Sequence, residues 1–322
     1  MCPSLCPTTP YRKSLIAYKL MKVLFLLVTL FQSHHCFVSS STTSPASNPI
    51  SSIPTDMNQQ NPQVSFDVVH KKKVYIIGCG SFATAMARRI ALNIQEKPYL
   101  QHIYERSVRL YGYDEFIDEE NRRHLSEAIN ENHENVKYLP KIKLPEDIHM
   151  ITSLEEVVSE ADIIFFVLPH QFLQPTLRQM QQCLLSPSSN KNILKAEAMV
   201  SLIKGVSFQP SLQVPKSDGG ATSPLKQSIQ RYTSVIANEL RFPEDRMALI
   251  MGANIALDVA KDDFVESTIA CESPVVCDAL QELLDCSTFR TQKTTQVSTV
   301  ELCGAIKNVY ALGAGIIGSH MT

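Results

Sequence analysis

What this sequence lacks narrows its reading first. Its nine cysteines, Cys2, Cys6, Cys36, Cys79, Cys183, Cys271, Cys277, Cys286 and Cys303, form no C-x-x-C pair. Neither a zinc site nor a compact disulfide framework is therefore expected, and free thiols in a reducing compartment are the simpler reading. No metal is called for. Charge of one sign is also missing: 30 basic residues stand against 32 acidic ones, for a net charge of −2. Nothing in that balance suggests a nucleic-acid partner, and none is expected. The apolar run Val23–Phe31 is too short for a confident membrane span.

Acidic residues are absent altogether from residues 1–55. Arg12, Lys13, Lys19 and Lys22 precede the short apolar run, which is the order of a signal peptide. From Phe37 to Thr55 the chain turns to Ser, Thr and Pro, the composition of a transit peptide or a disordered linker. Residues 1–36 read as a signal-like leader and 37–69 as a linker or transit segment. The combination resembles the bipartite leaders of proteins sent to secondary plastids, with Cys36-Phe37 as a loose cleavage-site match. Simple secretion, a rarely used upstream start with Met21 the true beginning, and a cytoplasmic location stay open.

At Lys71 the pattern changes. The short β-rich run Val74–Ile77 leads into Gly78-Cys79-Gly80-Ser81-Phe82-Ala83 and then the alanine-rich stretch Thr84–Ala91. Strand, glycine turn and helix in that order predict a dinucleotide fold. Gly78 permits the tight turn, Gly80 lets the backbone approach a pyrophosphate, and Ala83 packs helix on strand. Amides left free at the helix start then face the phosphate charge. A structural glycine turn is the blander alternative.

Val108–Tyr113 reads as the second strand, with Asp114 and Glu115 at its end. An acid there accepts from ribose hydroxyls and favours NAD over NADP, although Asp114 reads equally well as a solvated loop carboxylate. The intervening Glu96–Ser107 reads as an extended connection. Ala161–Leu168, Ala198–Ile203 and Ala248–Met251 are continuous apolar runs, as strands buried on both faces should be. They end in Pro169-His170-Gln171-Phe172, in Lys204-Gly205 and in Gly252–Ala256, and ligands bind at that edge of such sheets. Lys204 alone reads as a surface lysine; three such strand ends in sequence point to a shared crevice. Pro210–Gln230, rich in Ser, Pro and Gly, reads as a surface insertion.

The segment Val300–Tyr310 reads as an apolar helix carrying Lys307 and Asn308. A lysine there is either a surface residue or one held for a ligand or a proton transfer.

Five blocks in order resemble the eukaryotic type of NAD-dependent glycerol-3-phosphate dehydrogenase. They are His133–Pro140, Val167–Phe172, Ser201–Val206, Met251–Ala256 and Val300–Asn308, within a resemblance running from about Lys73 to Gly315. It implies an α/β fold: a Rossmann-like doubly wound parallel sheet over 70–295, then at 296–322 the first helix of an incomplete all-α substrate domain. It also implies reversible hydride transfer between NADH and dihydroxyacetone phosphate or sn-glycerol 3-phosphate, in a homodimer if the protein is full length. Gly78, Cys79, Gly80, Ser81, Phe82 and Ala83 would hold the pyrophosphate. Tyr113 would lie near the adenine, and Phe172, Ala256 and Lys204 would line the cofactor path. Lys204 and Asn308 would bind substrate, with Lys307 the proton-transfer residue. Two departures stand out. Ser81-Phe82-Ala83 replaces the family's Asn-Trp-Gly, and the family's Gly-Arg-Asn phosphate-binding segment does not occur in these 322 residues. A catalytically inactive NAD-binding fragment or regulator is accordingly the alternative expectation.

Overall fold

The computed structural model describes residues 70–118, 122–185, 194–210 and 227–320. The leader, the Ser/Thr/Pro-rich linker and residues 211–226 of the expected insertion lie outside the described residues.

Twelve strands are present among the described residues: β1 (Lys72–Ile77), β2 (Tyr104–Tyr111), β3 (Phe116–Asp118), β4 (Arg123–His124), β5 (Ile148–Ile151), β6 (Ile163–Phe166), β7 (Ala198–Ser201), β8 (Ser207–Pro210), β9 (Gln227–Gln230), β10 (Met247–Gly252), β11 (Val265–Ala270) and β12 (Phe289–Thr294). The helices are α1 (Ser81–Glu96), α2 (Pro98–Ile103), α3 (Leu125–Asn132), α4 (Leu154–Glu160), α5 (Leu173–Leu185), α6 (Tyr232–Leu240), α7 (Ala256–Ala260), α8 (Pro274–Leu284) and α9 (Val297–His320).

Eight strands form one sheet in the order β12-β11-β10-β7-β6-β1-β2-β5. From β5 to β10 every pairing is parallel. The β10–β11 pair is antiparallel, so β11 and β12, parallel to each other, run against the rest. The doubly wound fold expected from the sequence is therefore present, with a reversed two-strand extension at one edge.

Side chains on a strand alternate between faces, and this sheet is covered on both. Val74, Ile76 and Phe165 enter one apolar cluster with α1, while Tyr75, Ile77, Ile164 and Phe166 enter a second beneath α4 and α5. Each large side chain so buried contributes roughly 1.5–3 kcal/mol. That is why the central strands read as unbroken apolar runs.

The stretch Glu96–Ser107 differs from the expected extended connection. Lys97 is extended and caps the end of α1, Pro98 opens α2, and β2 begins at Tyr104. A proline at a first helical position loses no intrahelical bond, so the chain turns there instead of running on. The expected insertion starts and ends as an antiparallel ribbon, β8 on β9. Among the described residues no helix is long and apolar enough to cross a membrane. On α9, Leu302, Ile306, Val309, Tyr310 and Leu312 are exposed.

A candidate dinucleotide and substrate site at the switch point of the sheet

The chain runs from β1 outward to β2 and β5, then returns to place β6 on the other side of β1. Strand order reverses between β1 and β6, and open α/β sheets bind ligands in the crevice at such a point, beyond the carboxyl ends of the strands. All the predicted site segments lie at that edge.

Gly78 follows β1 and has φ of +130°, a conformation that L side chains rarely adopt. Its N–H donates to Tyr111 O at 2.8 Å, and a Cβ would overlap the Val167 carbonyl, whose carbon would lie 2.9 Å away. Gly78 is thus required by the close approach of β6 as well as by the turn. Ala83, buried in the first turn of α1, would stand 3.5 Å from that same Cβ. The buried Ala83 thus packs at the strand–helix turn.

Gly80 caps α1 without any side-chain hydrogen bond, and the first turn carries no acid. A Cβ added to Gly80 would meet nothing within 4 Å. Bare amides at Ser81, Phe82 and Ala83 therefore start a long helix beside open space, which suits a pyrophosphate. Cys79 contributes backbone only. Its side chain packs at Gly112 and Met150, and burial, the first cause, lifts the thiol to about 11.

Asn135 lies within the His133–Pro140 block, where the sequence alone implies no role for it. It is fully buried, and its Nδ2 donates to Cys79 O and to Thr84 Oγ1, both at 2.8 Å. Its Oδ1 accepts from Tyr138 N at 3.0 Å. Asn135 thereby ties the His133–Pro140 loop to the glycine turn and fixes its shape. A lone asparagine in a loop gives no periodic signal, and only the surrounding block pointed to it.

At the end of β2, Tyr113 is 85% exposed, in the crevice mouth. Asp114 does not stand free as a ribose acceptor. It accepts from Ser126 N at 3.1 Å and Ser126 Oγ at 2.9 Å, and lies 3.3 Å from His124 Nδ1. It anchors the start of α3 instead, where unsatisfied amides need an acceptor. Glu115 accepts from Lys137 and Tyr138, and those hydrogen bonds outweigh its desolvation and hold its carboxyl below the usual range. Past β6, Pro169 leads into a single 3₁₀ turn, His170–Phe172, with the Phe172 ring half exposed. Ala256 opens α7, next to the exposed Ile255.

Lys204 follows β7 and is exposed, its Nζ 5.3 Å from the centre of the Phe82 ring. Lys307 reaches the same place from α9, where its Nζ donates to Gly252 O at 3.2 Å. Burial, and then the positive charge of the adjacent Lys204, lower the Lys307 pKa from 10.5 to about 8. Helix α9 approaches β10 closely at Gly304, where a Cβ would lie 2.7 Å from Met251 Sδ. Asn308 is exposed beside Lys307. Asn254, also missed from sequence, is buried after β10. Its Nδ2 donates to Ser267 Oγ, while its Oδ1 has no partner among the described residues.

Residues 73–277 match the model of the NAD-dependent glycerol-3-phosphate dehydrogenase N-terminus. The chain belongs to this family. It is 36% identical over 245 residues to the cytoplasmic NAD(+) glycerol-3-phosphate dehydrogenases of Rattus norvegicus and Homo sapiens, covering 76% of this chain and 60% of each relative. The chain thus spans about three-fifths of the length of these relatives. Among solved structures, the glycerol-3-phosphate dehydrogenase of Saccharomyces cerevisiae is 29% identical with a TM-score of 0.62, over 76% of this chain and 62% of that one. That of Plasmodium falciparum is 27% identical with a TM-score of 0.59, over 74% and 57%.

Within this dehydrogenase family frame, the structure gathers the predicted site residues at one edge: Gly78–Ala83, Tyr113, Phe172, Lys204, Ala256, Lys307 and Asn308. Lys204 and Lys307, 103 positions apart in sequence, meet there because the turn after β7 and the middle of α9 both face Gly252 and the glycine turn.

Proposed function

We propose that this protein is an NAD-dependent glycerol-3-phosphate dehydrogenase, interconverting dihydroxyacetone phosphate and sn-glycerol 3-phosphate. The observation that carries the reading is the convergence of two lysines beside a bare helix start at the switch point. Carbonyl reduction next to a phosphoryl group calls for cationic groups at the substrate and an anion cradle for the cofactor. Family membership and the names of the relatives support the same chemistry.

Ser81, Phe82 and Ala83 would hold the pyrophosphate through their amides, and Tyr113 and Phe172 would flank the two ends of the dinucleotide. The bound cofactor supplies or accepts the hydride. Lys307, when charged, polarises the carbonyl of dihydroxyacetone phosphate and gives its proton to the C2 oxygen; when neutral, it takes that proton back in the oxidative direction. A pKa of about 8 leaves both forms populated near neutrality, which a reversible reaction needs. Lys204 lies beside it and attracts the phosphorylated substrate. Asn308 and the unpartnered Asn254 Oδ1 bind substrate hydroxyls.

We further read the protein as a homodimer if full length, and residues 1–36 as a signal-like leader which, with the linker or transit segment 37–69, directs it to an organelle or the secretory route. The acid-free basic start and the Ser/Thr/Pro composition support that reading. The test of function is dihydroxyacetone-phosphate-dependent oxidation of NADH by the purified full-length protein. Turnover with this substrate supports the assignment, and none with any phosphorylated ketone overturns it.

A further inference from the structure

Glu301 is fully buried in α9, six positions before Lys307. Its carboxylate accepts from the Thr233 N–H at 3.0 Å and from Thr233 Oγ1 at 2.5 Å. Burial, the largest influence, raises its pKa, while these hydrogen bonds and Arg231 act the other way. A carboxylate withdrawn from water is costly unless its acceptors are filled, so a chain retains one when the bonds fix something else.

What the bonds fix is visible at both ends. Thr233 is the second residue of α6, and Tyr232 is the first. The Tyr232 ring stacks on His170 with centroids 6.2 Å apart, and its hydroxyl donates to Val206 O at 3.3 Å. A Cβ on Gly205, which has φ of +119°, would lie 3.5 Å from the same ring. The start of α6 therefore buttresses the Lys204–Val206 turn. At the other end, Gly304 presses α9 onto Met251, and Lys307 reaches Gly252 O one turn further on.

We propose that Glu301 is a positioning residue whose clasp on Thr233 sets the spacing of Lys204 and Lys307. The helix bearing one lysine is bonded to the helix start that supports the turn bearing the other. Neither Glu301 nor Thr233 touches the reacting atoms. Arg231 is the charged group that acts on Glu301 and Lys204 the one that acts on Lys307. The influence of Glu301 runs through geometry: a loosened α9 lets water reach Lys307 and separates it from Lys204.

The proposal rests on the reading of Lys307 as the lowered-pKa site lysine, and the test separates the two. Competitive acetylation of the full chain across a pH series, read by mass spectrometry at Lys307, gives that residue's titration without requiring turnover. In the parent protein the midpoint should fall near pH 8. Glu301→Ala and the isosteric Thr233→Val should each move it upward toward the ordinary lysine value of 10.5. Thr233→Ser, which keeps the hydroxyl, should restore the parent midpoint. Thr233→Val preserves volume, so it remains readable even if Glu301→Ala fails to fold. A parent midpoint near 8 that stays there in folded Thr233→Val and Glu301→Ala overturns the clasp. An ordinary midpoint in the parent overturns the site reading and the clasp with it.

Discussion

Lys307 Nζ donates to the Gly252 carbonyl oxygen at 3.2 Å. A carbonyl acceptor favours the charged amine, yet the Lys307 pKa falls to about 8 because burial and the Lys204 charge outweigh that single bond. A turn after β7 and the middle of α9, far apart in sequence, thus produce a lysine whose pKa lies near 8.

Rates in the two directions should respond to pH with opposite sign. Reduction needs charged Lys307 and should decline as pH rises through about 8; oxidation needs the neutral amine and should increase over the same interval. Replacing Lys204 by methionine should move both midpoints upward by only part of the shift, because burial is the first cause and remains. Initial rates in both directions across a pH series check this. Coincident, same-signed profiles would contradict it.

The two glycines of the turn should fail differently. Gly78→Ala places a Cβ on the Val167 carbonyl at a positive φ, and should lose about 1–3 kcal/mol of folding stability. At Gly80 there is open space, so Gly80→Ala should melt close to the parent. Its methyl group would point at the expected phosphate position, and NADH affinity should drop at least tenfold. Thermal melts paired with fluorescence titration of NADH distinguish the two.

Asp114 gives a separable pair of effects. Its carboxylate supports the start of α3, so Asp114→Ala should cost about 1 kcal/mol of stability, as helix-cap losses do. NADH should still bind more tightly than NADPH in the parent. Arg109, the arginine weighed for a 2′-phosphate, already pairs with Glu105 at 3.3 Å and Glu156 at 3.4 Å and lies over the Tyr75 ring. Titrating both cofactors checks this, and equal affinities would contradict it.

Residues 1–66 fused to a fluorescent reporter should give an organellar or secretory pattern in the native cell. A diffuse cytosolic signal from a fusion beginning at Met1 would contradict the targeting reading.

Much of this was legible in the sequence for a physical reason. Strands β1, β6, β7 and β10 are buried on both faces, so they announce themselves as apolar runs, and the glycine turn is dictated by backbone geometry that few residues satisfy. The reversed edge was not legible: Val265-Glu266-Ser267-Thr268 and Phe289-Arg290-Thr291-Gln292 mix polar and apolar residues, and direction leaves no mark on composition. Asp114 stayed open between two readings because a carboxylate after a strand looks the same whether it faces a ribose or a helix start. Asn135 and Glu301 act through partners 56 and 68 positions away, and no local pattern encodes such pairings.

The most direct measurement is turnover of the full-length protein with NADH and dihydroxyacetone phosphate, compared with its Lys307→Ala variant and with NADH affinity measured on both. The expected result is a fall in kcat of about 10²–10⁴-fold, the usual contribution of a positioned proton donor, with NADH affinity unchanged. Undiminished turnover in Lys307→Ala would contradict the assignment of Lys307 and the site built around it.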